Sequence, residues 1–477
     1  MKHAYTLMVR IAVLVLVCAV GASAATKRNI VFILVDDMRF DSMGCAGHSF
    51  LKTPALDRLA ADGIRFTRAF VTTSLCSPSR ASFLTGLYAH KHNVLNNASR
   101  LPAESVTFPR RLQENGYRTA FVGKWHMGSD SDDPRPGFDH WASFRGQGSY
   151  TKNDFNINGE KKVVAGYVTD VITRMATDWL DQQEDGPFML YVSHKAVHAG
   201  FIPAPRHRDA FSDLKIPAPD SMAHTPENYF RKPKWVLAQR NSWHGVDDMY
   251  FKRTSFEPFI RDYHRTMLAV DDGVGAIVAK LKEKGLYAST LLVFTSDNGF
   301  LHGEHGLIDK RCMYEPSIRI PMIMTCPELF EAGREMEQMV LNVDVAPTFL
   351  EAAGLPAPES MQGRSFFRLP TDPAAVAGWR EAILYEYFFE RSFPETPTCI
   401  GIRTDRYKFI EYHGIWDANE LYDLEADPDE MHNLISTSHR KRPTVDSPHR
   451  QAYRELRNEL DRLRDELGVR RLPTWAR

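Results

Sequence analysis

Residues 29–35 read NIVFILV, a continuous run of apolar side chains in which β-branched residues are frequent. The run is too short for a typical helix, and unbroken apolarity is typical of a strand buried on both faces, as in a parallel sheet. Similar runs occur at residues 119–122, 188–192 and 291–295, with helical patterns between them, for example at 54–62 and 263–284. The alternation predicts an α/β fold with a large mixed, mainly parallel sheet sandwiched by helices.

The pattern changes after about residue 370, which indicates a second, smaller unit. The chain has 477 residues, and a single hydrophobic core rarely grows beyond about 250–300 residues. Short strand patterns at 382–389, 401–412 and 420–424 follow one another closely, and an amphipathic helix pattern covers 450–467. We therefore expect a large α/β domain at residues 25–370 and a C-terminal antiparallel α+β subdomain at residues 371–477.

The N-terminus has the pattern of a cleaved signal peptide. Two basic residues precede a short apolar run at 11–20, and the small residues Ala22-Ser23-Ala24 follow. The run is too short for a stable membrane anchor, which is the alternative interpretation, and no later segment has the length of a membrane span. We expect residues 1–24 to be removed and the mature protein to be periplasmic or secreted.

Bulk charge and cysteine content narrow the possible functions. The net charge of -1 gives no reason to expect nucleic-acid binding, so an anionic substrate would have to meet local cations. Cys45, Cys312, Cys326 and Cys399 remain once the signal peptide and one further cysteine are set aside. In an oxidising compartment they could pair in three ways, or they could be buried free thiols.

Carboxylates follow two of the predicted buried strands directly. Asp36 and Asp37 come after the first strand, and Asp297 and Asn298 come after the strand at 291–295. Ligands gather at the carboxyl ends of the strands in an open α/β sheet. An all-oxygen ligand set suits Ca²⁺, or less well Mg²⁺, whose octahedral geometry is stricter. Taken singly, each segment could also be a solvated turn.

The segment Cys76-Ser77-Pro78-Ser79-Arg80, with Thr85-Gly86 after it, resembles the C-x-P-x-R signature of the type I sulfatases. That family belongs to the alkaline phosphatase superfamily. The resemblance implies that a separate maturation enzyme oxidises Cys76 to formylglycine. The hydrated aldehyde would then be the nucleophile and a further metal ligand. If the segment starts a helix, Arg80 lies on the same face as Cys76 and can hold the formylglycine hydroxyl and nearby carboxylates.

Three further segments resemble the same family and imply roles for basic side chains. They are GKWHMG at 123–128, SHKAVH at 193–198, and GEHG with DKR at 303–311. Lys124 and Lys310 would neutralise sulfate oxygens, and His126 would act as the base that triggers sulfate release. His198, with Lys310, would protonate the leaving alcohol, although His194 in the same segment is an alternative.

The resemblance covers nearly the whole mature chain and implies hydrolysis of sulfate esters. Within the family the chain looks like bacterial N-acetylglucosamine-6-sulfatases and mucin-desulfating sulfatases, so the expected substrate is a sulfated carbohydrate. His413 and Trp416 are candidates for contacting the sugar, although Trp416 could equally be an anchor between domains. A phosphonate or phosphodiester hydrolase and a non-catalytic glycan-binding relative are the alternative functions.

Overall fold

The computed structural model describes residues 27–414, 419–436 and 444–470. The predicted signal peptide lies outside these residues. The strands are β1 Ile30–Val35, β2 Ile64–Phe66, β3 Ala69–Phe70, β4 Arg118–Lys124, β5 His140–Phe144, β6 Asp154–Ile157, β7 Glu160–Val163, β8 Phe188–Ser193, β9 Leu291–Ser296, β10 Arg319–Ile320, β11 Met322–Thr325, β12 Arg334–Met336, β13 Val340–Leu341, β14 Ala382–Tyr387, β15 Cys399–Thr404, β16 Tyr407–Tyr412, β17 Glu420–Asp423, β18 Ile435–Ser436 and β19 Thr444–Val445.

The α-helices of five or more residues begin and end as follows in the part of the chain that the structure describes. They are α1 Pro54–Ala61, α2 Cys76–Thr85, α3 Phe108–Glu114, α4 Val168–Asp181, α5 Lys234–Arg240, α6 Phe256–Glu283, α7 Val345–Ala352, α8 Pro373–Ala377 and α9 Arg450–Leu467. None of the described helices is both long and apolar enough to cross a membrane.

The main sheet has ten strands in the order β12-β2-β11-β9-β1-β8-β4-β5-β6-β7. The strands β9, β1, β8, β4 and β5 run parallel, and the strands at both edges add antiparallel pairs. Every residue of β1, β8 and β9 is buried, and apolar clusters cover the two faces of the sheet. The predicted fold class is confirmed, because side chains on alternate positions of these strands pack into opposite clusters.

The second sheet is antiparallel and has the order β14-β15-β16-β17. The predicted single strand at 401–412 is wrong. It is a hairpin of β15 and β16 around Asp405-Arg406, a polar pair that interrupts two apolar runs. The Tyr407 N–H donates to the Thr404 hydroxyl at 3.0 Å and closes the turn. Helix α9 packs on this sheet through Leu456 and Leu460, over the predicted residues 450–467. The domain boundary near residue 370 stays a prediction.

The cysteines of the described residues are all free thiols. Cys312, Cys326 and Cys399 are buried and Cys45 is half-buried. The sequence leaves open whether these four cysteines form disulfides or are free thiols, and in the structure they are free thiols.

Candidate active site

Two adjacent parallel strands bring the predicted oxygen ligands together. Val35, at the end of β1, pairs with Ser296, at the end of β9. The residues that follow each strand therefore leave the same edge of the sheet side by side. The Asp37 backbone N–H donates to Asp297 Oδ1 at 3.1 Å, and the Asn298 amide donates to Asp37 Oδ1 at 2.5 Å. All four side chains are fully buried.

Helix α2 places the cysteine at the same point. Cys76 is its first residue, and its extended N-cap Leu75 turns the chain so that the first turn of the helix faces the strand ends. The Cys76 thiol donates to Asp36 Oδ1 at 3.4 Å. One turn further, Arg80 reaches the same carboxylates, as the four-residue spacing predicts. The helix ends at Thr85 and is capped by Gly86, whose φ of 67° is left-handed.

The donor atoms of this cluster fit a hard cation. One ligand atom each from Asp36, Asp37, Cys76 and Asp297 lies within 4.8 Å of the others. Asn298 Oδ1 is buried and has no hydrogen-bond partner in the part of the chain that the structure describes. A buried acceptor without a partner costs free energy, which an ion bound at that oxygen would offset. The oxygens are the ligand type that Ca²⁺ and Mg²⁺ prefer.

Three buried cations lie among the three carboxylates. Arg80 donates through Nε to Asp297 Oδ2 and through Nη1 to the Lys124 carbonyl, both at 2.8 Å. Its Nη2 lies 2.8 Å from the same Asp297 oxygen as an ion-pair contact. Lys124 Nζ donates to Asp36, and Lys310 Nζ donates to both Asp37 oxygens at 2.5 Å. The protein therefore balances its own charge here, and an added divalent ion would make the cluster net positive.

Burial and these charges set the protonation states. Burial alone raises the pKa of Asp36, but Lys124 and the other nearby cations hold it well below its usual range. Burial, with the charge of Asp36, raises the pKa of Asp297 to about 7. Burial, again with Asp36, raises the pKa of the Cys76 thiol far above neutrality. The unmodified thiol is therefore protonated at neutral pH and is a poor nucleophile, because thiolates are the reactive form.

The histidines occupy different positions. His126, at a left-handed φ of 62°, lies with Nδ1 3.4 Å from the Ser77 hydroxyl. A His198 ring nitrogen lies within 4.8 Å of ligand atoms of Asp36 and Cys76, and His198 lines the large cavity. His194 is fully buried beside Gly273 of α6, away from the cavity lining. Burial lowers the pKa of all three histidines, so each is neutral at neutral pH.

A cavity of about 1050 Å³ opens beside the cluster, and His198 and Lys310 are among the residues that line it. Its wall includes Trp243, His244 and the residues that flank Lys310. His244 Nδ1 lies 3.0 Å from Asp309 Oδ2, and Arg311 donates to Asp309 at 2.6 Å and to Glu390 at 2.8 Å. Asp309 and Arg311 belong to the DKR segment at 309–311, but no sequence pattern indicates Trp243, His244 or Glu390, because their contacts join residues far apart in the chain.

Two further residues beside the site were also missed from the sequence. The Gln147 side-chain oxygen accepts a hydrogen bond from Lys124. Lys195 is buried, lies 4.6 Å above the Tyr150 ring, and has a pKa lowered to about 8 by burial and by the charge of Lys124. The position of Lys195 inside the SHKAVH segment was an available signal. Gln147 had none.

Of the two predicted sugar contacts, only His413 is among the described residues, and it does not line the cavity. His413 is exposed, and its backbone N–H donates to the Thr398 carbonyl at 2.9 Å. Trp416 lies outside the described residues. A role for either residue in sugar binding stays a prediction.

The fold and the family of its relatives define a hydrolase of the alkaline phosphatase-like superfamily. The profile of the sulfatase family matches residues 28–355, and that of the C-terminal region of N-sulphoglucosamine sulphohydrolase matches residues 303–464. The chain belongs to the sulfatase family and is a sulfuric ester hydrolase.

Individual relatives agree over most of the chain. The N-acetylglucosamine-6-O-sulfatase of Bacteroides thetaiotaomicron is 35% identical, over 90% of this chain and 87% of its own length. One solved structure is the complex of a relative with its substrate, D-glucosamine-2-N,6-O-disulfate. That structure superposes on this one with a TM-score of 0.81 and 31% identity, over 93% of this chain and 98% of the other. The phosphonate monoester hydrolase of Agrobacterium radiobacter has a TM-score of 0.76 at 23% identity, over 92% and 96% of the two chains, and shows the shared fold alone.

Proposed function

We propose that this protein hydrolyses sulfate esters of carbohydrates, with a nucleophile derived from Cys76 and with a bound Ca²⁺. The observation that carries the proposal is the position of Cys76, which lies 3.4 Å from Asp36 inside a buried cluster of three carboxylates and three cations. The large cavity beside this cluster gives room for a substrate. A decayed, merely glycan-binding relative would have no reason to retain a balanced set of buried charges, which is costly to bury.

The protonated thiol supports modification of Cys76. Burial and Asp36 keep the pKa of the thiol high, so the unmodified side chain offers little thiolate. Formylglycine, made by a maturation enzyme, would supply a hydroxyl nucleophile at this position. Arg80 can hold that hydroxyl, because it lies one helical turn away and is fixed by Asp297 and by the Lys124 carbonyl.

The metal site would consist of Asp36, Asp37, Asp297, Asn298 and the modified Cys76. When bound, Ca²⁺ would act as a Lewis acid and would offset the charge of the transferring sulfate group. The unpartnered Asn298 oxygen and the convergence of the acidic oxygens support this assignment. Ca²⁺ tolerates an irregular set of six or more oxygens, which makes it a better occupant than Mg²⁺.

Four basic side chains would act on the substrate and on the nucleophile. Lys124 and Lys310, each buried next to a carboxylate, would hold the sulfate oxygens as point charges. His198 lines the cavity and is neutral in the free enzyme, but the negative charge of a bound sulfate ester would favour its protonated form, which would then protonate the leaving alcohol. His126, beside Ser77, would act as the base. The position of His198 on the cavity wall, and of His194 in the core, favours His198 for the acid.

A sugar is the best-supported leaving group. The relatives named above include an N-acetylglucosamine-6-O-sulfatase and a protein whose structure contains a sulfated glucosamine. The cavity wall combines aromatic rings with charged groups, as in many sites that bind a polar ligand with apolar faces. Residues 389–393 of the proposed C-terminal subdomain form part of this wall, so that subdomain would contribute to specificity. Export to the periplasm or beyond rests on the signal-peptide pattern of residues 1–24.

The experiment compares the wild-type protein with Cys76→Ser and Cys76→Ala, after co-expression with a formylglycine-generating enzyme. Mass spectrometry of the Cys76 peptide should find the aldehyde or its hydrate. Steady-state assays on N-acetylglucosamine 6-sulfate should detect turnover only in the wild type. Cys45→Ser is the matched control, because Cys45 is a half-buried free thiol outside the site, and it should retain activity.

Two outcomes would contradict the proposal. Turnover by Cys76→Ser near the wild-type rate would exclude the formylglycine route, because serine has no second hydroxyl with which to expel sulfate. Hydrolysis of a phosphonate monoester at a higher kcat/KM than any sugar sulfate would favour the alternative function, for which the phosphonate hydrolase shows only a shared fold.

A further inference from the structure

A second, smaller cavity of about 230 Å³ adjoins the large one. The two cavities share Trp243 and Phe393 in their walls. Phe251 completes the aromatic part of the small cavity, and Gln239, Ser242 and the carboxylates Asp248 and Glu395 supply its polar groups. It is therefore continuous with the site proposed above, although its lining residues include none of the buried charged cluster.

The Trp243 ring contacts both of the other aromatic rings. Trp243 lies parallel to Phe251, with ring centroids 5.4 Å apart and an interplanar angle of 4°. Trp243 also lies 5.4 Å from Phe393 at 32°, and the Arg311 guanidinium covers Phe393 at 3.4 Å from the ring centroid. Arg311 follows Lys310 directly in the chain. We call these three rings, Trp243, Phe251 and Phe393, the aromatic platform. The platform extends from Arg311, next to the charged cluster, to the exposed Phe251 at the protein surface.

The outer ring of the platform is held where solvent reaches it. The Phe251 side chain is 61% exposed. The backbone from Met249 to Lys252 has four consecutive positive φ angles, a left-handed turn that costs about 1–2 kcal/mol per residue. Hydrogen bonds from the Tyr250 N–H to the Trp243 carbonyl at 2.7 Å and from the Lys252 N–H to the Asp248 carbonyl at 2.5 Å hold it. Strained backbone that exposes a large apolar ring is typical of a binding site.

We propose that the aromatic platform of Trp243, Phe251 and Phe393 binds a second sugar ring of an oligosaccharide whose sulfated residue lies in the large cavity. This inference rests on the proposed function. A pyranose has an apolar face that packs on flat aromatic rings, while its hydroxyls need the polar groups that Gln239, Ser242, Asp248 and Glu395 supply at the rim.

The charge of the small cavity restricts the second sugar. Its lining residues include two carboxylates and no Lys or Arg. A sulfate or a uronic acid there would be repelled by Asp248 and Glu395, whereas the hydroxyls of a neutral hexose or N-acetylated hexosamine would donate hydrogen bonds to these carboxylates without that penalty. The preferred substrate is therefore an oligosaccharide in which an uncharged sugar adjoins the sulfated one.

The test uses Phe251→Ala and Trp243→Ala with a matched control, Phe230→Ala. Phe230 is 63% exposed and lines neither cavity. The substrates are N-acetylglucosamine 6-sulfate and a chitotriose that carries one 6-sulfate on its terminal residue. Both platform variants should lower kcat/KM for the trisaccharide about 2- to 10-fold, as expected for loss of one aromatic contact. Phe251→Ala should leave the monosaccharide unchanged, and Phe230→Ala should leave both unchanged.

The outcomes separate this inference from the function on which it rests. Equal rates of the wild type on the trisaccharide and the monosaccharide, or equal losses on both substrates in Phe251→Ala, would overturn the platform as a sugar subsite. A wild-type enzyme that carries formylglycine and hydrolyses neither sulfated sugar would overturn the proposed function itself. Replacing Asp248 and Glu395 with Asn and Gln should raise relative activity on a trisaccharide with a second sulfate, and no change would refute the charge argument.

Discussion

Arg80→Met should destabilise the protein and weaken cation binding together, because Arg80 supports the carboxylates of the proposed metal site. Its guanidinium is 1% exposed and holds Asp297, which is 0% exposed, through two contacts of 2.8 Å. Removing one partner of a buried ion pair leaves an uncompensated charge and typically costs about 3–5 kcal/mol. Stability of folded proteins is only about 5–15 kcal/mol, so the loss should be easy to measure.

The same change should act on the protonation of Asp297. Burial and the charge of Asp36 already raise its pKa to about 7, with Arg80 opposing them. Without Arg80 the pKa rises further, so Asp297 is protonated at neutral pH and no longer offers an anionic oxygen. We therefore expect weaker Ca²⁺ binding at pH 7, with part of the affinity recovered as pH increases.

Arg80→Lys separates charge from geometry. Lysine retains the positive charge but cannot reproduce the fork that contacts Asp297 together with the Lys124 carbonyl and the Ser193 hydroxyl. Loss of a charge-assisted hydrogen bond costs about 1.5–3 kcal/mol, so this variant should lie between wild type and Arg80→Met in stability. Its activity should still fall strongly, because the nucleophile loses its positioning group.

The assays are chemical denaturation followed by circular dichroism and calorimetric titration with Ca²⁺. Arg65→Lys is the control, because its pair with Glu335 is on the surface, where such pairs are worth about 0–1 kcal/mol. Two results would contradict this prediction: a free energy of unfolding of Arg80→Met within about 1 kcal/mol of that of the wild type, or an unchanged Ca²⁺ affinity of Arg80→Met at pH 7.

Three further predictions concern the metal and buried charges elsewhere. Chelation with EGTA should abolish activity and lower the melting temperature, both restored by Ca²⁺; an unchanged activity would exclude the metal proposal. Asp271 accepts from the Ala55 and Leu56 N–H groups, and burial raises its pKa to about 6, above the ordinary 3.8. The stability that Asp271 contributes is thus fully present below about pH 3.8 and is lost as pH rises through about 6. The free energy of unfolding of Asp271→Asn, relative to wild type, should then rise by about 1–3 kcal/mol between pH 4 and 7 in denaturant titrations, and a constant difference would contradict this. Lys408 is fully buried and pairs with Glu315 at 2.8 Å and Glu430 at 2.7 Å. Lys408→Met should cost about 3–5 kcal/mol in the same titrations, whereas a cost below about 1 kcal/mol would show that the pairs contribute little.

The sequence by itself determined the parallel core of the fold, because unbroken apolar runs such as residues 29–35 can be satisfied only by burial on both faces of a sheet. It also indicated which residue types form the candidate site, since the C-x-P-x-R segment at Cys76 and the carboxylates after two strands are local patterns. The polar pair Asp405-Arg406 is a local signal for the hairpin, but the apolar runs on both sides of it favour a single strand at 401–412.

Only the tertiary structure decided which distant groups meet. The contacts of Gln147 with Lys124, of Arg311 with Glu390 and of Trp243 with Phe393 join residues that are well separated in the chain. The choice of cavity residue between His194 and His198 was likewise open from sequence, because both lie in one short segment after a buried strand. These outcomes depend on where loops of irregular backbone come to rest, which is set by packing against the whole fold and has no local periodicity to reveal it.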